Sequence, residues 1–266
     1  MTATRGQIPV PRAMEEAADA LHIARRDGQR IDLVSNRWPQ IGLKDARGVA
    51  RRFAGQGGED SVGFKLGFTS AAMRSQMAIN EPNYGTLTAD MAIDRLDWHR
   101  LVHPRVEPEI AIITSRQILD VTDVTASAIL SVHAAIEIVD TRYTEYRFTL
   151  IDNTADNSSA AGFILGPASP VSILESSPLQ VVFDDGEGGT ISGSSDDALG
   201  GPLRALEWLT DARAKEGFTI PAGSIILTGG LTRAPYLLRG ASMVADFGKL
   251  GRLSVSRPPE NRQPAC

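Results

Sequence analysis

Cysteine is almost absent from this sequence, which has a single cysteine, Cys266, at its last position. One cysteine cannot form an internal disulfide, and it cannot supply the several thiolates of a structural zinc site. We therefore expect any bound metal ion to be held by oxygen or imidazole ligands. We expect no buried cysteine nucleophile.

Long apolar runs and runs of positive charge are also lacking. No apolar stretch approaches the roughly 20 residues that span a membrane, and the first residues lack the apolar core of a secretory signal. The net charge is −5, and the longest basic runs are the pairs Arg25-Arg26 and Arg51-Arg52. We therefore expect a cytoplasmic protein whose partners include neither a membrane nor nucleic acid.

Motifs for nucleotide binding and serine hydrolysis are missing as well. The sequence has no phosphate loop with Gly-Lys-Ser/Thr, no Gly-x-Gly-x-x-Gly after a strand and no Gly-x-Ser-x-Gly. Neither nucleotide chemistry nor a serine triad is favoured.

The distribution of apolar residues predicts two structural parts. Apolar residues have helical spacing at 11–28 and 43–53, so residues 1–58 are predicted to form a helical N-terminal cap. Residues 59–257 are predicted to form a β-rich domain, and residues 258–266 a disordered tail. The fold class is therefore α+β.

Short apolar runs and turns predict the elements of the main domain. Strands are predicted at 62–68, 110–113, 225–227, 243–247 and 253–255, a hairpin at 179–191 and a helix at 200–215. A further helix is predicted over 122–136, with Thr122 as its N-cap. This helix would deliver Glu137 into the apolar run that follows it.

Three glutamates in apolar surroundings are the candidate metal ligands. Glu107 and Glu109 are two residues apart, so in a strand their side chains point to the same face. Glu137 lies between two isoleucines and needs a partner if it is buried. Three crowded carboxylates raise one another's pKa unless a cation lies among them, and oxygen ligands favour Mg²⁺ or Mn²⁺. The alternative is that Glu107 and Glu109 lie on the solvated face of an amphipathic strand.

Lys65 lies in a strand-like segment with a glycine two residues away on each side. One interpretation is a solvated lysine on an edge strand. The other is a lysine placed where the backbone approaches a ligand closely, ready to pair with a substrate carboxylate or to move a proton.

Two segments carry possible hydrogen-bonding groups for a ligand. Residues 152–162 are rich in Asp, Asn and Ser, a composition that most often indicates turns. The same side chains could also bind a carboxylate or an enolate. Thr228-Gly-Gly-Leu-Thr232 follows a strand, so its amides could face an anion.

His99 and His103 have the spacing of a helical metal pair, but Pro104 makes a helix there unfavourable. We interpret them, with His22 and His133, as structural or surface residues.

Five motifs resemble a known family. They are Lys65-Leu-Gly-Phe-Thr-Ser70, Glu81-Pro-Asn-Tyr-Gly85, His103-Pro-Arg-Val-Glu-Pro-Glu-Ile-Ala111, Ile136-Glu-Ile-Val-Asp-Thr-Arg142 and Ala155-Asp-Asn-Ser-Ser159. In this order they resemble the hydratase/decarboxylase branch of the fumarylacetoacetate hydrolase superfamily, whose enzymes act in the meta-cleavage degradation of aromatics. The resemblance implies a curved mixed β-sheet roll with a small helical N-terminal portion. It also implies Mg²⁺ or Mn²⁺ bound by Glu107, Glu109 and Glu137.

The resemblance implies a metal-dependent lyase that acts on a small unsaturated 2-oxo acid. Two activities of this family are alternatives for this chain. The 2-oxo-3-hexenedioate (4-oxalocrotonate) decarboxylases resemble this chain at His103-Pro104 and at residues 228–232, and this activity is our first choice. The 2-hydroxypenta-2,4-dienoate (2-keto-4-pentenoate) hydratases resemble it at Ala72-Met73 and at residues 81–85. The chain departs from both at Asn83, where aspartate is common, and at Leu199-Gly-Gly-Pro202, where histidine or asparagine is frequent.

The resemblance and the residue chemistry together suggest individual roles. Lys65 is the candidate for substrate anchoring or proton transfer, and Asp90 is a candidate acid or base. Asn157, Ser159 and Thr232 are candidate substrate-binding residues. Homo-oligomers are implied by the resemblance, and so is a possible complex with a partner hydratase or decarboxylase.

Two rival functions are weighed against a lyase. The chain could be a non-catalytic partner of such an enzyme, but its intact set of candidate ligands argues against this. Hydrolysis of a carbon–carbon bond, as in the founding superfamily members, should need a histidine–glutamate pair near the metal, and the sequence has no convincing pair.

Overall fold

The helices and strands are distributed unevenly along the chain, with most helical residues near its N-terminus. The computed structural model describes residues 8–56, 58, 60–175 and 178–259, apart from the side chain of Ala72. The α-helices in this part are α1 (Val10–Arg26), α2 (Val34–Arg37), α3 (Leu43–Gly55), α4 (Ala71–Met77), α5 (Leu150–Ala155) and α6 (Pro202–Ala214). The strands are β1 (Ser61–Gly67), β2 (Asn83–Thr88), β3 (Arg105–Thr114), β4 (Ile129–Val139), β5 (Ala160–Leu165), β6 (Gln180–Asp184), β7 (Thr190–Ser194), β8 (Ile225–Leu227), β9 (Ser242–Asp246) and β10 (Arg252–Ser256).

The strands form two sheets. The larger has the order β2-β1-β8-β3-β4-β5, and the smaller has the order β10-β9-β6-β7. Within the larger sheet β1 and β8 are parallel, and the other neighbours are antiparallel. The predicted α+β class with a curved mixed sheet is confirmed. The largest cluster of buried apolar residues includes residues from both sheets and from α6.

The predicted helix over 122–136 is wrong. Residues 129–139 form β4, and two short 3-10 turns, Val121–Asp123 and Ala126–Ala128, precede it. Asp120 and not Thr122 caps the first turn, by accepting a hydrogen bond from the Thr122 amide at 2.8 Å. Strand β4 lies between β3 and β5 and is buried along almost its whole length. A strand buried on both faces has a nearly continuous apolar sequence, which periodicity cannot distinguish from a buried helix.

The other predicted elements are confirmed. The helices near 11–28, 43–53 and 200–215 are α1, α3 and α6, and the hairpin is the antiparallel pair β6 and β7. The predicted strands correspond to β1, part of β3, β8, β9 and β10. None of the helices in the described ranges combines the length and the apolar character needed to cross a lipid bilayer. Of the predicted tail, residues 260–266 lie outside the described residues.

The N-terminal helices pack into a cluster of their own. Helices α1 and α3 bury a face of small and apolar residues, including Ala17, Leu21 and Val49. The same cluster contains Tyr143, which precedes helix α5, and Ala155, the last residue of α5. The cap is therefore packed against the segment around α5, and the predicted boundary at residue 58 stays a prediction.

A buried ion pair lies where the cap meets this segment. The guanidinium of Arg142 donates hydrogen bonds to the carboxylate of Asp156 and to its backbone oxygen, and both side chains are almost fully buried. Asp156 also accepts from Thr141 Oγ1 at 2.8 Å. The Arg142 guanidinium lies 5.5 Å from the ring centroid of Phe53 in α3. One arginine therefore fixes both the cap and the residues that follow α5.

We expect the substitution Arg142→Gln to lower the free energy of unfolding by about 3–5 kcal/mol, because it leaves the Asp156 carboxylate buried without its counter-ion. Urea unfolding followed by circular dichroism measures the loss. The exposed pair of Arg252 with Asp246 provides the control, and Arg252→Gln should cost less than about 1 kcal/mol. Equal losses in the two variants would contradict a structural role for the buried pair.

Candidate metal centre and substrate pocket

The three predicted glutamate ligands converge on one point. Glu107 in β3 lies directly opposite Glu137 in β4, and Glu109 follows two residues later in β3. Opposite residues of an antiparallel pair, and residues two apart in a strand, share a face of the sheet. One oxygen atom from each of the three carboxylates lies within 4.8 Å of the others. Glu109 and Glu137 are fully buried and Glu107 is partly exposed, so the alternative of a solvated face is wrong.

Burial and mutual repulsion disfavour the charged forms of the three carboxylates in this cluster. Burial raises the pKa of Glu107 and Glu137 and, together with the charges of its two neighbours, holds that of Glu109 well above its ordinary range. Among the described residues, Glu109 Oε1 and Glu137 Oε2 are buried with no hydrogen-bond partner. Buried acceptors without partners are rare in native proteins and call for an explanation such as an ion. Three carboxylates suit a hard cation such as Mg²⁺ or Mn²⁺.

Lys65 is the cation that faces this cluster. Its Nζ lies 3.0 Å from Glu137 Oε1 and donates a hydrogen bond to the backbone oxygen of Ser158 at 2.9 Å. Burial by itself would lower the pKa of Lys65, but the three glutamates outweigh it and raise the pKa. Lys65 therefore carries a positive charge at neutral pH. Strand β1 lies between β2 and β8, so the interpretation as an edge-strand lysine is wrong.

Two glycines allow the close contacts on which this arrangement depends. A Cβ atom on Gly63 would lie 1.9 Å from the backbone oxygen of Ile225, so only glycine lets β1 pair with β8 there. Gly229 has φ +115° and would clash with Thr69 if it carried a side chain. Its amide donates to Glu109 Oε2 at 2.7 Å. The predicted anion-facing amide therefore exists, and the anion it meets is a carboxylate of the protein.

Three consecutive residues after α5 have left-handed backbone conformations. Asn157, Ser158 and Ser159 have φ values of 52°, 53° and 58°. Such angles cost roughly 1–2 kcal/mol per residue and persist only where the surroundings enforce them. The amide of Asn157 does so by pairing with both the N–H and the C=O of Thr86, each at 2.8 Å. This turn directs the backbone oxygen of Ser158 at Lys65.

Asn83 supports the same turn from β2. Its Nδ2 donates to Asn153 Oδ1 at 2.8 Å and to Thr154 Oγ1 at 3.1 Å. Its Oδ1 accepts from Ser158 Oγ at 2.8 Å. Asn153 in turn donates to Ser159 Oγ at 2.9 Å. The amide of Asn83 uses its donors and its acceptor at once, which an aspartate could not do.

A pocket of about 340 Å³ opens beside the glutamates. Its polar wall includes Lys65, Glu107, Ser159 and Thr232, which were predicted from the sequence. Its apolar wall includes the aromatic side chains of Phe68, Tyr146 and Phe148. The pocket therefore joins the candidate metal centre to a partly apolar space of the size of a small ligand.

The structure does not bring two predicted site residues to this pocket. Asp90 accepts hydrogen bonds from Arg25 and Thr88, and it is not among the residues that line the pocket. Asn157 binds the backbone of Thr86 with its amide, so its observed role is to hold the left-handed turn.

The histidines lie outside the glutamate cluster. The His103 ring stacks on Tyr146 with a centroid distance of 4.9 Å, and burial and the neighbouring Arg30 lower its pKa to about 4. His133 pairs with Ser131 Oγ and with the backbone oxygen of Gly166. These contacts agree with the predicted structural roles.

Sequence reasoning missed several residues that line the pocket. Arg105 is two residues before Glu107, so the same period of two that linked the glutamates also predicts its face. Asn153 and Ser158 belong to the polar segment that was noted, but no local signal distinguishes them from their neighbours. Tyr146 and Phe148 follow β4 and reach the pocket only through the packing of the chain.

Comparisons of the amino-acid sequence with known proteins identify relatives of this chain. The sequence profile of the fumarylacetoacetate (FAA) hydrolase C-terminal family matches residues 69–256. A 4-oxalocrotonate decarboxylase from a Pseudomonas species is 38% identical over 212 residues, which cover 76% of this chain and 81% of that protein. A 2-keto-4-pentenoate hydratase 2 from Dechloromonas aromatica is 31% identical over 254 residues, which cover 91% of this chain and 97% of that protein.

A solved structure agrees with these relatives. The 4-oxalocrotonate decarboxylase from Pseudomonas putida G7, complexed with magnesium and adipate, superposes with a TM-score of 0.84 at 30% identity. The superposition covers 94% of this chain and 98% of that one.

We expect Glu109→Gln to raise the melting temperature of the metal-free protein by about 2–4 °C or more, because the variant removes one of three repelling buried carboxylates. The same variant should lose most of the rise that Mg²⁺ or Mn²⁺ gives the parent protein, about 2.7 kcal/mol at a metal concentration of 100 Kd. Thermal unfolding with and without metal measures both effects. A variant that is stabilised by metal as strongly as the parent would contradict the assignment of Glu109.

The sign of the pH dependence follows from the raised pKa of Glu109. A carboxyl whose pKa is higher in the folded state stabilises the protein fully below its unfolded pKa, near 4.3, and loses that contribution as the pH rises through the folded pKa. The metal-free parent should therefore lose stability above the ordinary carboxyl range, and Glu109→Gln should lose less. Melting temperatures recorded between pH 5 and pH 8 check this difference.

We expect Asn83→Asp to destabilise the protein by about 1–3 kcal/mol, since it removes both donors to Asn153 and Thr154 and buries an additional acceptor. Urea unfolding measures the loss, and Asn80→Asp at an exposed position is the matched control. An unchanged stability would contradict the structural role assigned to the donors of Asn83.

Proposed function

The chain belongs to the fumarylacetoacetate (FAA) hydrolase C-terminal family, and on this premise we propose that it is a divalent-metal-dependent lyase that acts on a small unsaturated 2-oxo acid. The first candidate reaction is the decarboxylation of 2-oxo-3-hexenedioate (4-oxalocrotonate). The alternative is the hydration of 2-hydroxypenta-2,4-dienoate (2-keto-4-pentenoate). Mg²⁺ or Mn²⁺ is the proposed cofactor.

The glutamate cluster is the observation that carries this proposal. Three carboxylates converge, and two of them have buried oxygens that lack a partner. Glu107 of this cluster lines the pocket together with the buried Lys65. A divalent ion held by Glu107, Glu109 and Glu137 would supply Lewis acidity for negative charge that develops on the 2-oxo oxygen. Both candidate reactions need this stabilisation, so the site fits either one.

The residues around the cluster have separate tasks in the proposed reaction. Lys65 holds a proton at Nζ, and its contacts with Glu137 and the Ser158 oxygen fix the position of that atom. The hydroxyl groups of Ser159 and Thr232 line the pocket and can bind substrate oxygens. The aromatic side chains of Phe68, Tyr146 and Phe148 give these groups an apolar wall on which the carbon chain of a substrate can pack.

Decarboxylation requires a substrate in which the electron pair of the broken bond can be delocalised onto the 2-oxo group. In 2-oxo-3-hexenedioate the bond between C5 and C6 breaks, CO₂ departs, and the electron pair is delocalised through the C3–C4 double bond to the 2-oxo group. Protonation of the resulting dienolate gives a conjugated product that keeps the C1 carboxylate and carries a single negative charge. Among the relatives, the decarboxylase bound to adipate supports this reaction for our chain, because adipate is a six-carbon dicarboxylate.

Hydration remains the alternative because a hydratase matches nearly the whole chain. In that reaction the conjugated system is protonated and water adds to it, and the same residues would hold the metal and the proton. A non-catalytic role beside a partner hydratase or decarboxylase is a further alternative. The expected homo-oligomer, the partner complex, the acid–base role of Asp90 and the cytoplasmic location stay predictions.

The test is to incubate metal-stripped protein with each candidate substrate, with and without Mg²⁺ or Mn²⁺, and to follow CO₂ release and the loss of dienoate absorbance. We expect metal-dependent CO₂ release from 2-oxo-3-hexenedioate. Dienoate loss without CO₂ release would identify a hydratase. No reaction with either substrate would favour the non-catalytic partner.

Variants of the cluster connect the activity to the site. Glu107→Gln should abolish metal-dependent turnover, and Lys65→Met should lower it by roughly 10²-fold or more if Lys65 transfers a proton. Glu187→Gln, at an exposed position away from the pocket, is the matched control for the first variant. Full activity in Glu107→Gln would contradict the proposed metal centre.

A further inference from the structure

Arg105 is a cation on the pocket wall that the proposed reaction has not yet used. It is the first residue of β3 and lies two residues before Glu107, so the two side chains share a face of the sheet. Both residues line the same pocket. The Arg105 side chain therefore lies next to that of Glu107 along the same face of β3.

Aromatic rings hold the guanidinium of Arg105 in place. Its central carbon lies 4.2 Å from the ring centroid of Tyr146 and 4.2 Å from that of Tyr236. Its Nη2 donates to the Tyr236 hydroxyl at 2.8 Å. Contacts of this kind use the faces of the planar guanidinium and leave N–H groups at its edge for a ligand. The group is therefore positioned before any ligand binds.

Arg105 forms no salt bridge with a described carboxylate, although its charge acts on the nearby Glu107. Its Nε is buried without a hydrogen-bond partner among the described residues. The other arginine on the pocket wall, Arg233, is different, because it lies 3.7 Å from the carboxylate of Asp185 and about half of its side chain is exposed. A buried donor without a partner, on a preorganised guanidinium, is suited to a carboxylate.

The spacing of Arg105 and Glu107 along β3 is close to the length of a six-carbon diacid. Residues two apart in a strand are separated by roughly 6.6 Å. Three bonds of an extended chain span at most about 3.3–3.6 Å, so the five bonds between the terminal carbons of a six-carbon diacid span roughly 6 Å. A diacid whose 2-oxo end lies at the glutamate cluster can therefore place its other carboxylate near Arg105.

We propose that Arg105 is a specificity residue that binds the distal carboxylate of a dicarboxylic 2-oxo acid. This inference rests on the proposed function and deepens it, because it selects the diacid over the monocarboxylic substrate of a hydratase. Tyr146 and Tyr236 are positioning residues for Arg105.

The chemistry of the departing group predicts what Arg105 contributes. The distal carboxylate is the group that leaves as neutral CO₂, so its attraction to a cation weakens as the C5–C6 bond breaks. A contact that is stronger in the ground state than in the transition state improves binding but does not accelerate the reaction. Arg105 therefore determines which substrate binds, and the rate of the chemical step depends on the metal centre and Lys65.

The test compares two inert ligands that differ only in the distal carboxylate, 2-oxohexanedioate and 2-oxohexanoate. Both are saturated, so no conjugated path connects the distal carboxylate with the 2-oxo group. Calorimetry with the Mg²⁺-loaded protein should show that the diacid binds about 10–100 times more tightly than the monoacid. In Arg105→Gln this preference should fall below about threefold, through weaker binding of the diacid alone. In turnover of 2-oxo-3-hexenedioate, KM should rise at least about tenfold while kcat holds or rises.

Further variants keep the outcome decisive. Arg105→Lys retains the charge without the planar fork and should reduce the preference by about 3–10-fold, which provides a second test if Arg105→Gln does not fold. Arg252→Gln is the exposed control and should keep the full preference. A preference that is lost in Arg233→Gln and kept in Arg105→Gln would overturn the proposal. Equal weakening of both ligands in Arg105→Gln would also overturn it, since that result indicates a structural role.

The inference and the proposed function can fail separately. A parent protein that binds both ligands equally tightly, in a Mg²⁺-dependent manner, would overturn only the assignment of Arg105. A parent protein that binds neither ligand with Mg²⁺ present would overturn the proposed function itself.

Discussion

The antiparallel register of β3 and β4 is the constraint on which the candidate site depends. It places Glu107 opposite Glu137, and the pleat of β3 then places Glu109 on the same face. A shift of one residue in this register would turn the side chains of one strand to the opposite face. The register is enforced because β3 and β4 are internal strands of the larger sheet and both are buried for most of their length. The same burial that fixes the register also raises the pKa of the carboxylates and leaves two of their oxygens without protein partners.

A second level of structure holds the lysine and the substrate-facing groups around these carboxylates. Lys65 lies two strands away from β3 in the sheet order, and the short strand β8 separates them. Its position depends on the pairing of β1 with β8, which Gly63 permits, and on the left-handed turn at 157–159. The left-handed turn itself depends on Asn83 and on the contacts of Asn157 with β2. The strained backbone is therefore stabilised by hydrogen bonds from several segments, as expected where a site must be preorganised.

The N-terminal helices contribute to the site indirectly. They pack on the segment around α5, and Asp152 in α5 accepts hydrogen bonds from both the amide and the hydroxyl of Ser35 in α2. Arg142 joins Asp156 to the ring of Phe53 in the cap. These contacts couple the position of the left-handed turn to the packing of helices that do not line the pocket. The cap is in this sense part of the support for the candidate site, although none of its described residues lines the pocket.

The sequence by itself determined the candidate ligand set, because the spacing of Glu107 and Glu109 is a local property and an acid between two isoleucines indicates a buried charge. The same local reasoning predicted three of the six described α-helices and most of the strands, and the matched motifs predicted the family. It failed for residues 122–136, since an apolar run that is buried on both faces reads alike as a helix or a strand. Only the tertiary structure decided that Glu137 faces Glu107, that Asn157 supports a turn, and that Arg105, Tyr146 and Tyr236 come together beside the pocket. These contacts join segments that are distant in the sequence, and the physical reason they escape prediction is that strand pairing and packing, and not local preference, fix their geometry.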